Sequence, residues 1–173
     1  MDTRDDEFSA YVVERRAHLY RTAYLLCGDA HRAEDITQQA LAKLYGAWSR
    51  AVRMDSVDAY ARRIVVNAHL DEVRRPWQRR ERPSAEPAEG RVSVAAGLSV
   101  EDSDALWTAL RGLAPGQRRV VVLRHYWGLS VDETAADLGI SPGTVKSQTS
   151  EALARLRGVL GPVGQSSTTG EQR

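Results

Sequence analysis

The sequence predicts an all-α chain made of two small helical domains joined by a flexible linker. Three observations predict it. Apolar residues recur three and four positions apart in both halves, which is the spacing of one helical face. No segment sustains the alternation that a half-buried strand requires. Composition changes abruptly near Pro76, where the helical pattern stops and resumes only some 25 residues later.

In the first half, Phe8, Val12, Leu19, Ala23 and Leu26 fall on one stripe of a helix that ends near Gly28. A second helix from Ala30 to Trp48 carries Ala33, Ile36, Ala40, Leu41, Leu44 and Trp48 along its inner side. Asp55 to Asp58 offers start signals for a third helix bearing Tyr60, Ile64, Val65 and Leu70. It should stop before Pro76, which has no N–H to continue the ladder. These three helices define a first domain over residues 7–80, small enough to be marginal alone. Pro83 to Ser99 reads PSAEPAEGRVSVAAGLS, without an aromatic residue or helical periodicity, and predicts a flexible linker over 81–101.

The second domain is expected over residues 102–161. A helix from Asp102 to Leu113 should end at Ala114-Pro115-Gly116, and a basic, β-branched helix should follow from Gln117 to about Trp127, stopped by Gly128. Val131 to Leu138 and Pro142 to Leu160 then read as two helices joined across Gly139-Ile140-Ser141. Small Ala135 stands where two helices must cross closely, and Gly139 can take the positive φ of a sharp turn. Ile140 and Val145 pack the turn onto the first helix; Ser141 is a good N-cap with Pro142 in the first helical position. This is a helix-turn-helix pattern. Residues 162–173, rich in Gly, Ser and Thr, predict a disordered tail.

A helix-turn-helix places its second helix in the major groove. Here that helix would offer Gly143, Thr144, Lys146, Ser147 and Gln148 to DNA. Thr144 and Ser147 suit phosphates, Lys146 a phosphate or guanine, and Gln148 an adenine edge. Arg155 lies farther along, toward backbone or solvent. Glu151 is the unexpected member, because a carboxylate repels phosphate although it can accept from a cytosine amino group. The alternative is a helical hairpin that only packs.

Charge distribution agrees with a DNA partner. The net charge of the 173 residues is only +1, yet Arg62 to Arg82 holds seven arginines against three acids. Other classes are poorly supported. His18, His31, His69 and His125 lack metal-ligand spacing, there is no glycine-rich phosphate loop, and Cys27 follows an apolar run that reads as core. Neither a cofactor nor catalysis is therefore expected. The longest aliphatic run, Val120 to Leu123, is too short for membrane insertion. No signal-like opening is present, and a lone cysteine suits a reducing compartment, so a cytoplasmic location is expected.

Taken together, AEDITQQALAKLYGAW (Ala33 to Trp48), YARRIVVNAHLDEVRR (Tyr60 to Arg75) and GQRRVVVLRHYWGLSVDETAADLGISPGTVKS (Gly116 to Ser147) resemble the extracytoplasmic-function sigma factors of the sigma-70 family. The resemblance covers about residues 8 to 160. It implies that the first domain is sigma region 2, the second is region 4, and the partners are core RNA polymerase and promoter DNA. Asp35, Gln38 and Gln39 match the face that grips the polymerase; without the resemblance they read as a solvated helix face. Asn67 matches a residue near the captured base of the minus-ten element, and Ser49 to Asp58 the adjoining specificity loop. Tyr60, Arg63, Asn67, Arg74 and Arg75 supply the stacking, edge and phosphate contacts that holding an unstacked strand needs, although Tyr60 also suits the core. Gly143 to Arg155 would then read the minus-thirty-five element. The run Val145 to Ser150 is similar to an actinomycete subgroup, and Glu151 departs from that pattern too. Family members are often held by an anti-sigma factor, a further possible partner here. The competing readings are a stand-alone helix-turn-helix regulator and an inactive sigma-like decoy.

Overall fold

A computed structural model describes residues 3–75 and 108–161. The expected linker (81–101), the first half of the helix expected from Asp102, and the expected tail (162–173) lie outside the described residues.

Helix α1 runs Thr3–Cys27 with Asp5 and Asp6 in its first turn, where carboxylates complement the helix dipole. It ends because Gly28 turns to φ 75. Helix α2 spans Ala30–Gly46, and its N-cap Asp29 accepts from the Arg32 backbone N–H at 2.8 Å. The chain breaks at Ala47 before a single turn, α3 (Trp48–Ala51), so the helix expected to run through to Trp48 stops two residues short of it. The break costs no burial: Trp48 still enters the core, with Phe8 and Tyr11 packed around its indole. Helix α4, Val57–Val73, starts from N-cap Ser56. Leu19, Ala23, Ile36, Leu44, Trp48 and Val65 lead the core that α1, α2 and α4 share. Arg15–Asp58, Arg16–Glu34 and Arg32–Glu72 ion pairs tie the helices at its margin.

In the second half, residues 108–111 form a helical turn and α5 spans Pro115–Val121. The helix expected to continue to Trp127 instead widens into a π-helical segment, Val122–Tyr126, before Gly128 turns it at φ 68. The widening shifts the register by about one residue, as an i→i+5 ladder must. Helix α6 (Val131–Leu138) begins with a reciprocal capping box between Ser130 and Glu133. It ends at Gly139 in the left-handed conformation, φ 65 and ψ 37. Helix α7 (Pro142–Leu160) begins at N-cap Ser141. Val120, Ala135 and Val145 pack where α5, α6 and α7 meet.

The two halves do not stand apart. Leu25, Leu26 and Val66 from the first share one buried cluster with Leu110, Leu113, Val121, Leu123 and Ala152 from the second. Both halves of the chain thus contribute to a seam that periodicity within either half does not predict. All described elements are helical.

Candidate nucleic-acid interface

Helix α7 sorts its residues by side. Val145 and Ala152 are fully buried against α5 and α6, which fixes the axis of the helix. Gly143, Lys146, Ser147, Glu151 and Arg155 are exposed on the outer side, with Thr144 half-buried at the first turn. Ser141 Oγ accepts from the Thr144 N–H at 3.1 Å and is 2.8 Å from the Thr144 hydroxyl. Backbone N–H groups at this end carry the positive pole of a 19-residue helix, and Lys146 adds a full charge one turn on. Such an end attracts phosphate.

One member of the expected set turns inward, and Glu151, though exposed, is tied to α5. Gln148 lies against Gly116 of α5 so closely that a Cβ there would sit 2.9 Å from its amide nitrogen. Its carbonyl oxygen is buried without a hydrogen-bond partner. Glu151 accepts from Gln117 Nε2 at 3.0 Å, and Gln117 Oε1 accepts from the Ala114 N–H at 3.3 Å. Glu151 is therefore drawn toward α5 by a buried amide. Gln117 was not among the residues singled out from sequence, since a lone glutamine 34 positions away gives no signal. Arg155 Nη1 reaches the Gly112 carbonyl at 3.4 Å.

In the first half, Tyr60 sits half-buried at the edge of the α1/α2/α4 core. Its hydroxyl accepts from Arg50 Nη2 at 2.8 Å, and the Arg50 guanidinium lies 5.6 Å from the ring centroid. Arg63 and Asn67 are exposed one turn apart on α4, and Arg74 and Arg75 are exposed at its C-terminal end. That end is the negative pole of the helix, so the two arginines there are locally stabilising as well. The expected loop at Ser49 to Asp58 begins with the α3 turn and then exposes Val52 and Met54. Asp35, Gln38 and Gln39 are all exposed on α2, away from these residues. Gln38 Nε2 donates to Glu34 at 2.9 Å; that bond and Arg16 hold the Glu34 carboxyl below its ordinary value.

The fold therefore presents three separate surfaces: one on α2, one on α4 with the turn before it, and one on α7. It also joins Arg63, from the expected set, to residues absent from it. Arg62 and Arg63 of α4 both pair with Asp137 of α6, at 2.7 and 2.9 Å. Trp127 Nε1 donates to Thr22 Oγ1 at 3.0 Å, and His18 Nδ1 lies 3.0 Å from the Tyr126 hydroxyl. Partners more than 70 residues apart leave no local pattern for a reader of the sequence.

Among the described residues, no group of three or more His, Cys, Asp and Glu side chains is placed to hold a metal ion. None of the described helices is long and apolar enough to cross a membrane.

Known proteins resemble this arrangement along nearly the whole chain. Residues 11–80 match the family described as Sigma-70 region 2, and residues 103–156 match Sigma-70, region 4. The RNA polymerase sigma-E factor of Streptomyces avermitilis is 42% identical over 154 residues, covering 87% of this chain and 83% of that protein. The ECF RNA polymerase sigma factor SigM of Mycobacterium tuberculosis is 38% identical over 161 residues, covering 90% and 79%. Among solved structures, the sigma factor RpoE of Bartonella quintana, in complex with the anti-sigma factor NepR, has a TM-score of 0.71 at 24% identity and covers 89% of this chain and 96% of its own. CnrH, bound to the cytosolic domain of CnrY, has a TM-score of 0.57 at 20% identity, covering 90% and 88%. The two solved structures speak for the fold.

Proposed function

The chain belongs to the extracytoplasmic-function sigma factors of the sigma-70 family, RNA polymerase subunits that direct promoter-specific transcription initiation, and from that premise we propose how its residues divide the work. The observation that carries the proposal is the exposed N-terminal part of α7, held on a helix-turn-helix by the left-handed Gly139. Gly143, Thr144, Lys146 and Ser147 contact the minus-thirty-five element, Gly143 through its backbone N–H and Thr144 and Ser147 through their hydroxyls. Gln148 and Glu151 shape that surface from its inner edge, and Arg155 meets the flanking backbone.

On α4, Asn67 contacts the edge of the captured minus-ten base, with Tyr60 offering a ring beside it. Stacking on an aromatic ring is worth about 1–3 kcal/mol per base, enough to offset part of the unstacking. Arg63, Arg74 and Arg75 follow the phosphates of the displaced strand. Asp35, Gln38 and Gln39 bind core polymerase, and the polymerase supplies all of the chemistry. An anti-sigma factor, the partner of the Bartonella protein, is a proposed regulator of this one.

The two promoter elements are about 25 base pairs apart, or about 85 Å at a rise of about 3.4 Å per base pair. Here α4 and α6 touch, so engaging both elements at once requires the halves to separate.

The test is transcription by sigma-free core polymerase to which this protein is added. Lys146→Ala should weaken promoter binding and lower its salt dependence by about one unit of slope. Asn67→Ala should leave polymerase binding intact and impair strand opening, read by permanganate reactivity of unpaired thymines. Opening at wild-type level in Asn67→Ala would remove that residue from the proposal.

A further inference from the structure

The seam between the halves is closed by an arrangement that does little for either half alone. Asp137 is in the last turn of α6, the negative end of the helix, where a carboxylate is locally unfavourable. Its side chain is 1% exposed, and both ion-pair partners lie across the seam on α4. Arg62 is 7% exposed, with its guanidinium 5.2 Å from the centre of the Trp127 ring. Trp127 is anchored in turn to Thr22 of α1 through its indole N–H, while His18 stacks on Tyr126 beside it. The π-helical segment Val122–Tyr126 thus delivers two aromatic residues into the first half at the point where α6 delivers its carboxylate.

A carboxylate on a guanidinium uses the same donors as a phosphate. Arg63, assigned above to the displaced strand, is 57% exposed at its side chain yet already occupied by Asp137. Arg62 is buried in the seam. We propose that Asp137 is a self-inhibitory latch: its carboxylate substitutes for a nucleic-acid phosphate on Arg62 and Arg63, holding the minus-ten surface against the helix-turn-helix until polymerase and promoter open the seam. The latch rests on the sigma-factor reading of α4 and α7. It makes the binding-competent form a minority of the free protein and weakens apparent affinity by that fraction.

The full-length chain tests this with donor and acceptor dyes on cysteines introduced at Val13 and Val159, both exposed and in different halves, in a Cys27→Ser background. The free protein should show mainly a high-transfer population. Asp137→Asn leaves a buried arginine without its anion, and should raise the low-transfer population about tenfold. Thr22→Val removes the acceptor of the Trp127 indole at the same seam and should shift the populations the same way, with helical content unchanged in far-ultraviolet circular dichroism. At limiting protein, unlabelled Asp137→Asn should give more promoter-specific transcript with core polymerase than wild type. Identical transfer populations in wild type and both variants would overturn the latch, whatever the transcription result. Shifted populations with no promoter-specific transcript from any form would keep the contact as a closure of the chain and instead sink the sigma-factor reading on which its inhibitory role rests.

Discussion

Two side chains at the first half's margin report on their surroundings. Cys27 was expected in the core; it is half-buried, and its thiol donates to the Asp29 carbonyl at 3.3 Å. Burial pushes its pKa up to about 11, against the opposing positive charge of the nearby Arg32. Only the thiolate reacts, so alkylation at pH 8 should run about 100-fold slower than for a free cysteine. Labelling at the free-thiol rate would show that this environment opens readily. His18, in the seam, titrates below its ordinary value of 6.5 because of burial first and then Arg15 and Arg21, with Asp58 opposing them. The unfolded chain therefore takes up a proton near pH 6.5 that the folded seam accepts only at lower pH. Stability should be full above that value and decline as pH falls below it. Melting midpoints measured from pH 8 to pH 5 should follow this course, and His18→Phe should flatten the upper part of the slope. Asp58, held low by hydrogen bonds from Arg15 and Tyr11 against the opposing effect of burial, contributes stability that is full above the ordinary carboxylate range and is lost only at more acid pH.

Among the elements, the helix-turn-helix is the one whose helix bounds, caps and turn glycine agree between sequence and geometry. Gly139 adopts φ 65, and a Cβ there would meet no atom within 4 Å. Gly139→Ala should therefore cost only the backbone strain, about 1–2 kcal/mol, read by urea denaturation. Ser130→Ala removes half of the capping box before α6 and should cost about 1 kcal/mol. These features were legible because caps, turn glycines and helical stripes are local. The ends of α2 and α5 were not. Trp48 belongs to the apolar stripe of α2 whether or not the helix breaks at Ala47, so periodicity cannot show the break. The π-helical segment after α5 likewise keeps Val122 and Leu123 buried and leaves no mark in the pattern. The inward turn of Gln148 and the bond that ties Glu151 to α5 depend on Gly116 and Gln117 more than 30 positions earlier, which spacing does not encode.

For the whole molecule, the sequence separates two helical units and the structure joins them through a buried cluster and a paired carboxylate. A net charge of +1 leaves the free protein little general attraction for duplex DNA, which suits a subunit that borrows affinity from polymerase. Tight binding of the isolated protein to random duplex at physiological salt would contradict that. The central claim concerns the assembly: the α2 surface holds polymerase while α4 and α7 choose and open the promoter. Sigma-free core polymerase, this protein and a genomic DNA library, with transcript starts mapped across the library, test it most directly. The account predicts discrete starts that share elements about 25 base pairs apart in register with each start, lost without the protein. Starts that are scattered, or unchanged when the protein is omitted, would contradict it.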